Sequence, residues 1–207
     1  MTAELEVVDL ECIRGDRRLF SGLNLSLNTG QIQRVEGPNG VGKTSLLRII
    51  CGLSLPESGD ILWQGLPIGA QRADYCSGLA YVGHTHGIKL ELSPLENLRL
   101  QVALGVADTE LNIEGALERV GLYPFRSQPC RTLSAGQCRR VAMARLFLGQ
   151  ARLWVLDEPV NGIDQEGVRE IETLLESHVS HGGMIVLTSH QPLCMDLPAV
   201  RTVRIQP

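Results

Sequence analysis

Lysine is almost missing from this chain: of 19 basic residues only Lys43 and Lys89 are lysines, so a lysine inside a motif marks a choice of compact point charge over the planar guanidinium fork. An excess of positive charge is missing too. Nineteen basic against 23 acidic residues leave a net charge of -4, which excludes a surface that coats nucleic acid through many Lys and Arg contacts to phosphate. Any phosphate ligand must be held locally. The six cysteines, at positions 12, 51, 76, 130, 138 and 194, include no Cys-x-x-Cys pair, so scattered reduced thiols of a cytosolic protein are expected rather than disulfides or a thiol metal site. The strand-like run Leu5 to Leu10 is expected to open the domain directly, with no secretory leader ahead of it. Long apolar runs are lacking as well. Ser177 to Met195 carries no Asp, Glu, Lys or Arg, but its histidines, glycines, serines and Pro192 are poor company for hydrocarbon, so no transmembrane span is expected. Work at a membrane would need a partner to hold the chain there. Repeats and low-complexity segments are absent, and 207 residues are too few for a multidomain machine.

What is present alternates between extended and helical patterns, the mark of an α/β domain. Leu23, Leu25 and Leu27 alternate with polar residues before the turn Asn28-Thr29-Gly30, and Gln31 to Glu36 runs straight into glycine. Thr44 to Ile50 reads as a helix closed by Gly52, while Gly59 to Trp63 and Leu79 to Val82 read as strands. Ser93-Pro94-Leu95-Glu96 then combines an N-cap serine, proline at the first helical position and a capping-box glutamate. Glu110 to Val120, stopped at Gly121, is a second helix, and Ser134-Ala135-Gly136-Gln137 opens a third through another capping box, running to about Leu148. Leu153 to Leu156 and Met184 to Thr188 are buried strands. Between them lies a helix from about Gln165, with Asp164 as N-cap and Ile163 and Val168 as a hydrophobic staple. The predicted architecture is one core with a helical lobe inserted at roughly 85 to 150.

Gly37-Pro38-Asn39-Gly40-Val41-Gly42-Lys43-Thr44 fits G-x-x-x-x-G-K-S/T between a predicted strand and a predicted helix, the context this phosphate loop requires. Backbone N–H groups from about Asn39 to Ser45 would surround phosphate oxygens at a helix N-terminus whose dipole favours anions. Lys43 would meet the β and γ phosphates, and the Thr44 hydroxyl would join the shell of a Mg²⁺ ion. Leu153 to Glu158 is an apolar strand ending in two carboxylates, costly unless something positive or reactive awaits them. Asp157 is placed to hold Mg²⁺, and Glu158 to orient and deprotonate an attacking water. Alone, such a pair could equally be a strand running out into Pro159; the phosphate loop upstream favours the functional reading.

Leu133-Ser134-Ala135-Gly136-Gln137 resembles the Leu-Ser-Gly-Gly-Gln signature of the ABC-type ATPases, and the resemblance covers nearly the whole chain. In order come the phosphate loop, a helical insert, the signature, the Asp157-Glu158 strand end, the Pro159 to Asp164 loop that matches the family's D-loop, and His190 after the last buried strand. The resemblance implies a P-loop NTPase of the ABC ATPase type, with a mixed sheet core and an inserted helical subdomain, residues 1–207 forming one ATP-binding domain. It also implies ATP and Mg²⁺ as ligands, and a homodimer in which the signature of one subunit caps the γ-phosphate held by the other. His190 would bond that phosphate and steady the catalytic glutamate. Two positions depart from the family pattern. Where the family has a glutamine before the insert, this chain has His84, whose imidazole still donates or accepts a hydrogen bond. About 29 residues before Lys43, where the family places an aromatic ring to stack on adenine, stands Arg14, whose guanidinium plane can also stack on a base. A metal pair at His84 and His86 has no evident third ligand.

The strings Leu62-Trp63-Gln64-Gly65, Gly83-His84, Gly87-Ile88-Lys89, Leu95-Glu96-Asn97-Leu98, Arg139-Arg140-Val141-Ala142 and His190-Gln191-Pro192-Leu193 resemble the ATP-binding subunits of the bacterial cytochrome c maturation system, a haem exporter family. That similarity implies the membrane partner CcmB with CcmC and CcmD, a functional link to the haem chaperone CcmE, and a peripheral place on the cytoplasmic face of the inner membrane. No Cys-x-x-Cys-His motif occurs, so no haem is expected on this chain. The alternatives are an ATPase subunit of another importer or exporter, a soluble ABC-type ATPase of translation or DNA repair, and a P-loop kinase. The second usually carries two cassettes or a long coiled coil, and the third leaves Leu133 to Gln137 unexplained.

Overall fold

The computed structural model describes residues 4–105, 113–189 and 200–205. Two sheets form. β1 (Leu5–Arg14) pairs antiparallel with β2 (Arg17–Leu27) on one side and β4 (Ser58–Trp63) on the other, and β5 (Leu66–Pro67) completes the order β2-β1-β4-β5. The alternation expected at Leu23, Leu25 and Leu27 is there, with Asn24 and Ser26 outward. The second sheet is parallel, in the order β6 (Leu79–Val82), β7 (Leu153–Asp157), β8 (Met184–Thr188), β3 (Ile32–Glu36), β9 (Val200–Arg204). Every residue of β7 and β8 is buried, as required of parallel strands covered on both faces.

Those strands divide the apolar side chains between two cores by simple alternation. Leu153, Val155, Met184, Val186 and Val35 face the antiparallel sheet and α1 (Lys43–Ile50), while Trp154, Leu156, Ile185, Leu187 and Ile32 face the helices that follow. These are α3 (Pro94–Ala103), α4 (Ile113–Arg119), α5 (Ala135–Ala144) and α6 (Gln165–Ser180), with the short α2 (Arg72–Ser77) preceding them. Both expected capping boxes form: Ser93 Oγ accepts from the Glu96 N–H and Ser134 Oγ from the Gln137 N–H, with each partner side chain reaching back. Asp164 caps α6 by accepting from the Gly167 N–H at 3.1 Å.

Some boundaries differ from the sequence reading. The helix opened at Ser134 ends at Ala144 and tightens into a 3-10 turn over Arg145–Phe147 instead of reaching Leu148. Of the helix expected over 110–120, Ile113–Arg119 is described, and 110–112 lie outside the described residues. α2 and β9 escaped notice because one lacks a side-chain cap and the other buries none of its residues fully. Among the described residues no helix is long and apolar enough to cross a membrane. Their five cysteines are free, and burial pushes the Cys51 thiol up to about 12; Cys194 lies outside the described residues.

At the N-terminal edge of the parallel sheet, the His178 ring of α6 stacks on Trp154 with centroids 3.6 Å apart and planes 7° from parallel. Only glycine fits opposite it, since a Cβ at Gly183 would lie 2.2 Å from His178 Nε2. Burial pushes this imidazole down to about 4, against hydrogen bonds with the Arg152 and Met184 backbone that favour its charged form. Above pH of about 6.5 the ring is neutral in folded and unfolded chains alike; between about 6.5 and about 4 only the unfolded chain takes up the proton. Stability therefore falls as pH drops through that window. Urea melts across it should show the loss, and His178→Phe, which keeps the stack, should flatten the slope between about pH 6.5 and 5.

Candidate nucleotide site

In an open parallel sheet, ligands gather where the carboxyl ends of the strands leave loops and helix N-termini pointing the same way. Here β3 ends in the 37–44 loop, β7 in Asp157 and Glu158, and β8 in Thr188. The loop is shaped by its glycines. At Gly42 (φ 110°) a Cβ would sit 3.0 Å from the Leu19 Cβ and 3.1 Å from the Phe20 ring, and at Gly37 it would sit 2.7 Å from the Ile205 carbonyl oxygen. Lys43, only 8% exposed, arches back over this loop, its Nζ donating to the carbonyls of Gly37 at 2.7 Å and Pro38 at 3.2 Å.

Asp157 joins two of these strand ends to the helix that follows the loop. Its Oδ2 accepts from Thr44 Oγ1 at 2.8 Å and its Oδ1 from Thr188 Oγ1 at 2.7 Å, so one carboxylate links α1, β7 and β8. Hydroxyl donors of this kind satisfy the oxygens of a carboxylate that is 2% exposed. The next residue, Glu158, is the last before Pro159 and has φ 53°. For a side chain with a Cβ this left-handed conformation costs about 1–2 kcal/mol. It is held from both sides: the Glu158 N–H donates to Thr188 Oγ1 at 2.9 Å, and its carbonyl accepts from Arg139 Nη2 at 2.8 Å.

Arg139, on α5 and 2% exposed, is the residue the sequence reading did not single out for the site. Its guanidinium donates to five backbone carbonyls: Gly83 at 2.8 Å, His84 at 3.4 Å, Asp157, Glu158 and Pro159 at 3.3 Å. Burial pulls it below the ordinary arginine range, and the Asp157 and Glu158 carboxylates act against that. The family-like string Arg139-Arg140-Val141-Ala142 contains it, but its place in the site cannot be read locally, because its partners lie 18 to 56 residues away in the chain.

A cavity of about 400 Å³ opens over these groups. Among its described lining residues are the expected Asn39, Gly40, Gly42, Lys43, Thr44, Ser45, His84, Asp157 and Glu158, joined by Leu19 of β2 and by Asn161, which had not been foreseen. The larger groove of about 700 Å³ lies at the opposite edge of the sheet, around Trp154 and His178, away from the phosphate loop and the paired carboxylates. Chemistry, not volume, picks the smaller one. Arg14 stands exposed at the end of the β1–β2 hairpin, opposite Arg17, and is not among the residues lining the cavity, where Leu19 takes the adjoining wall. Ser134, Ala135, Gly136 and Gln137 do not line it either. They form the N-terminus of α5, with Gly136 close to Ile163 (a Cβ there would lie 3.9 Å from its Cγ1) and Asp164 capping α6 beyond. His190 falls outside the described residues. Burial, then the charge of Arg139, lowers the His86 imidazole, and among the described residues no group of three His, Cys, Asp or Glu could hold a metal ion.

A sequence profile described as ABC transporter matches residues 20–161. A protein of Methylococcus capsulatus named cytochrome c biogenesis ATP-binding export protein CcmA is 54% identical over 185 residues, 89% of each chain. One of the same name from Nitrosospira multiformis is 45% identical over 202 residues, 97% of this chain and 98% of that one. A solved structure described as the ATP binding subunit of an ABC transporter superposes with a TM-score of 0.83 at 23% identity, covering 99% of this chain and 89% of the other, and so shares the fold. The phosphate loop, the signature helix and the paired carboxylates thus lie on a fold and in a sequence context that agree, and the chain belongs to the ABC transporter family of ATP-binding proteins and, within it, to the CcmA proteins of cytochrome c biogenesis.

Proposed function

We propose that the chain is the ATP-hydrolysing subunit of a membrane ABC complex for cytochrome c maturation, driving haem export or release of the haem-loaded chaperone CcmE. The observation that carries the ATPase reading is the Thr44–Asp157 contact of 2.8 Å, which brings the acidic end of β7 onto the phosphate loop from 113 residues away. In this reading the N–H groups from about Asn39 to Ser45 (Asn39, Gly40, Val41, Gly42, Lys43, Thr44 and Ser45) surround the phosphates, Gly37 and Pro38 form the turn that leads into them, and Lys43 leaves the Gly37 and Pro38 carbonyls to meet the phosphates. The Thr44 hydroxyl and the Asp157 carboxylate are hard oxygen donors side by side, a set that fits Mg²⁺. When bound, that ion neutralises charge on the phosphoryl oxygens. Glu158 takes a proton from water as the water oxygen forms its bond to the γ-phosphorus and the bond to the leaving ADP oxygen breaks. His84, beside the cavity, orients that water in place of the family's glutamine, His190 approaches the γ-phosphate, and Arg14 stacks on the base.

The rest of the reading concerns partners. Residues 1–207 act as one ATP-binding domain with a helical subdomain at about 85–150, whose apolar side chains join those of α6 and the parallel sheet in one core. Ser134, Ala135, Gly136 and Gln137, which do not line this chain's own cavity, serve the nucleotide of a second copy, with Asp164 at the same interface. CcmB, with CcmC and CcmD, holds the dimer on the cytoplasmic face of the inner membrane by docking on the insert between about Gly87 and Arg131. This assignment draws on the names of the CcmA relatives.

Lys43→Ala should weaken ATP binding, whereas Glu158→Gln should leave binding nearly intact, lower kcat by about 10²–10⁴-fold and trap an ATP-bound dimer. Equal loss of binding in both variants contradicts the assignment. Specific activity should rise with chain concentration in dilute solution. Ser134→Ala and Gly136→Asp should cut turnover while leaving ATP binding by a single copy in place; full-speed hydrolysis by a lone copy, indifferent to both changes, sinks the shared site. Purification from solubilised membranes should bring down the membrane subunit, and its consistent absence rejects the transporter role.

A further inference from the structure

The ladder between β6 and β7 ends at Val82 and Leu156. Beyond that pair the two chains part, and the carbonyls of Gly83, His84, Asp157, Glu158 and Pro159 are gathered instead by one side chain, the buried guanidinium of Arg139. Five backbone acceptors on one fork leave little play: the planar donors are rigid relative to one another, so the two loops move with the group that holds them. The strained residue Glu158 depends on it directly, because its backbone has no ladder partner to keep φ at 53°: its N–H donates to Thr188, and its carbonyl accepts from Arg139 at 2.8 Å and from the Asn161 N–H of its own turn at 3.2 Å, so Arg139 is its only side-chain tie to α5 among the described residues.

Arg139 also belongs to α5, five residues beyond the N-cap Ser134. A helix turn is stiff along its axis, so a displacement at the Ser134 end is carried to the guanidinium and from there to Glu158 and His84. We propose that Arg139 is the positioning residue that ties the signature helix to the water-activating carboxylate, setting the backbone of Glu158, and with it that of His84, in register with whatever engages Ser134 to Gln137. This rests on the reading of Glu158 as the base. It extends that reading by making each copy's catalytic geometry answer to the site it completes in the other. The signature, which serves the other copy's nucleotide, and the carboxylate, which serves this copy's, thus share one rigid link inside a single chain.

The test is a double-mutant cycle on the full chain, with ATP as ligand, reading nucleotide affinity separately from kcat. Arg139→Gln should lower kcat by about 100-fold, with ATP affinity changed by less than about threefold. Arg139→Lys, keeping the charge and three donors but losing the fork, should recover part of that loss. In the Glu158→Gln background Arg139→Gln should add almost nothing, since a positioning residue has no effect once the group it positions is gone. Arg140→Gln, at a residue whose guanidinium donates to Glu170 and to the Val120 carbonyl, should stay within about twofold of the unaltered chain. Equal losses from Arg139→Gln with and without the Glu158 change overturn the proposal, as does joint collapse of affinity and thermal midpoint in both Arg139 variants. If Glu158→Gln alone hydrolyses ATP at the unaltered rate, the base assignment fails, and that outcome is read from a different arm of the cycle.

Discussion

One carboxylate, that of Asp157, accepts a hydroxyl from the helix after the phosphate loop and another from the end of β8, and the site is built around that double contact. Were β7 to slip by one residue against β8, Asp157 would leave Thr188 and every side chain of the strand would change cores. The register is held by apolar burial on both faces. Val155 and Leu156 point to opposite cores, so neither can turn round without opening a cavity. Packing of ordinary valine, leucine and isoleucine thus sets the chemistry at the strand end to within the length of a hydrogen bond.

Around Asp157 the polar groups divide into two sets with different tasks. Lys43 and the loop N–H groups face the cavity and are matched to anions. Thr188 and Arg139 lie behind it, fully or almost fully buried, and spend their hydrogen bonds on backbone and on the carboxylate. The strained φ of Glu158 belongs to the second set's work: a conformation unfavourable by itself persists because both its polar backbone groups are engaged. Strain of this kind aims a side chain into a cavity at the cost of local stability, and the surrounding core supplies that stability.

Much of this was legible in the chain. The phosphate loop, the acidic strand end, both capping boxes and the Asp164 cap are local patterns, each set by residues within about one turn of helix or one strand, and each forms where it was expected. Arg139, Thr188, Leu19 and Asn161 were not read as parts of the site, because the motifs near them in the chain do not say which neighbouring side chain turns toward the phosphate loop. Their meaning comes from contacts across the fold, such as the 56 residues separating Arg139 from Gly83. Counting back from Lys43 finds the place of Arg14 in the sequence, and the hairpin carries it to an exposed position outside the described lining of the cavity, where Leu19 forms the wall.

Sequence alone determined the chemical types and their order along the chain: a lysine where lysines are almost absent, a glycine loop, a signature-like helix start, two acids after an apolar strand. These follow from short-range rules of periodicity, capping and backbone freedom. Tertiary structure decided which of them share a cavity, which stand apart on α5, and which arginine among seventeen gathers two diverging strands. Such distances are set by how two sheets and their helices bury apolar surface, a sum over the whole core that no short window of residues contains.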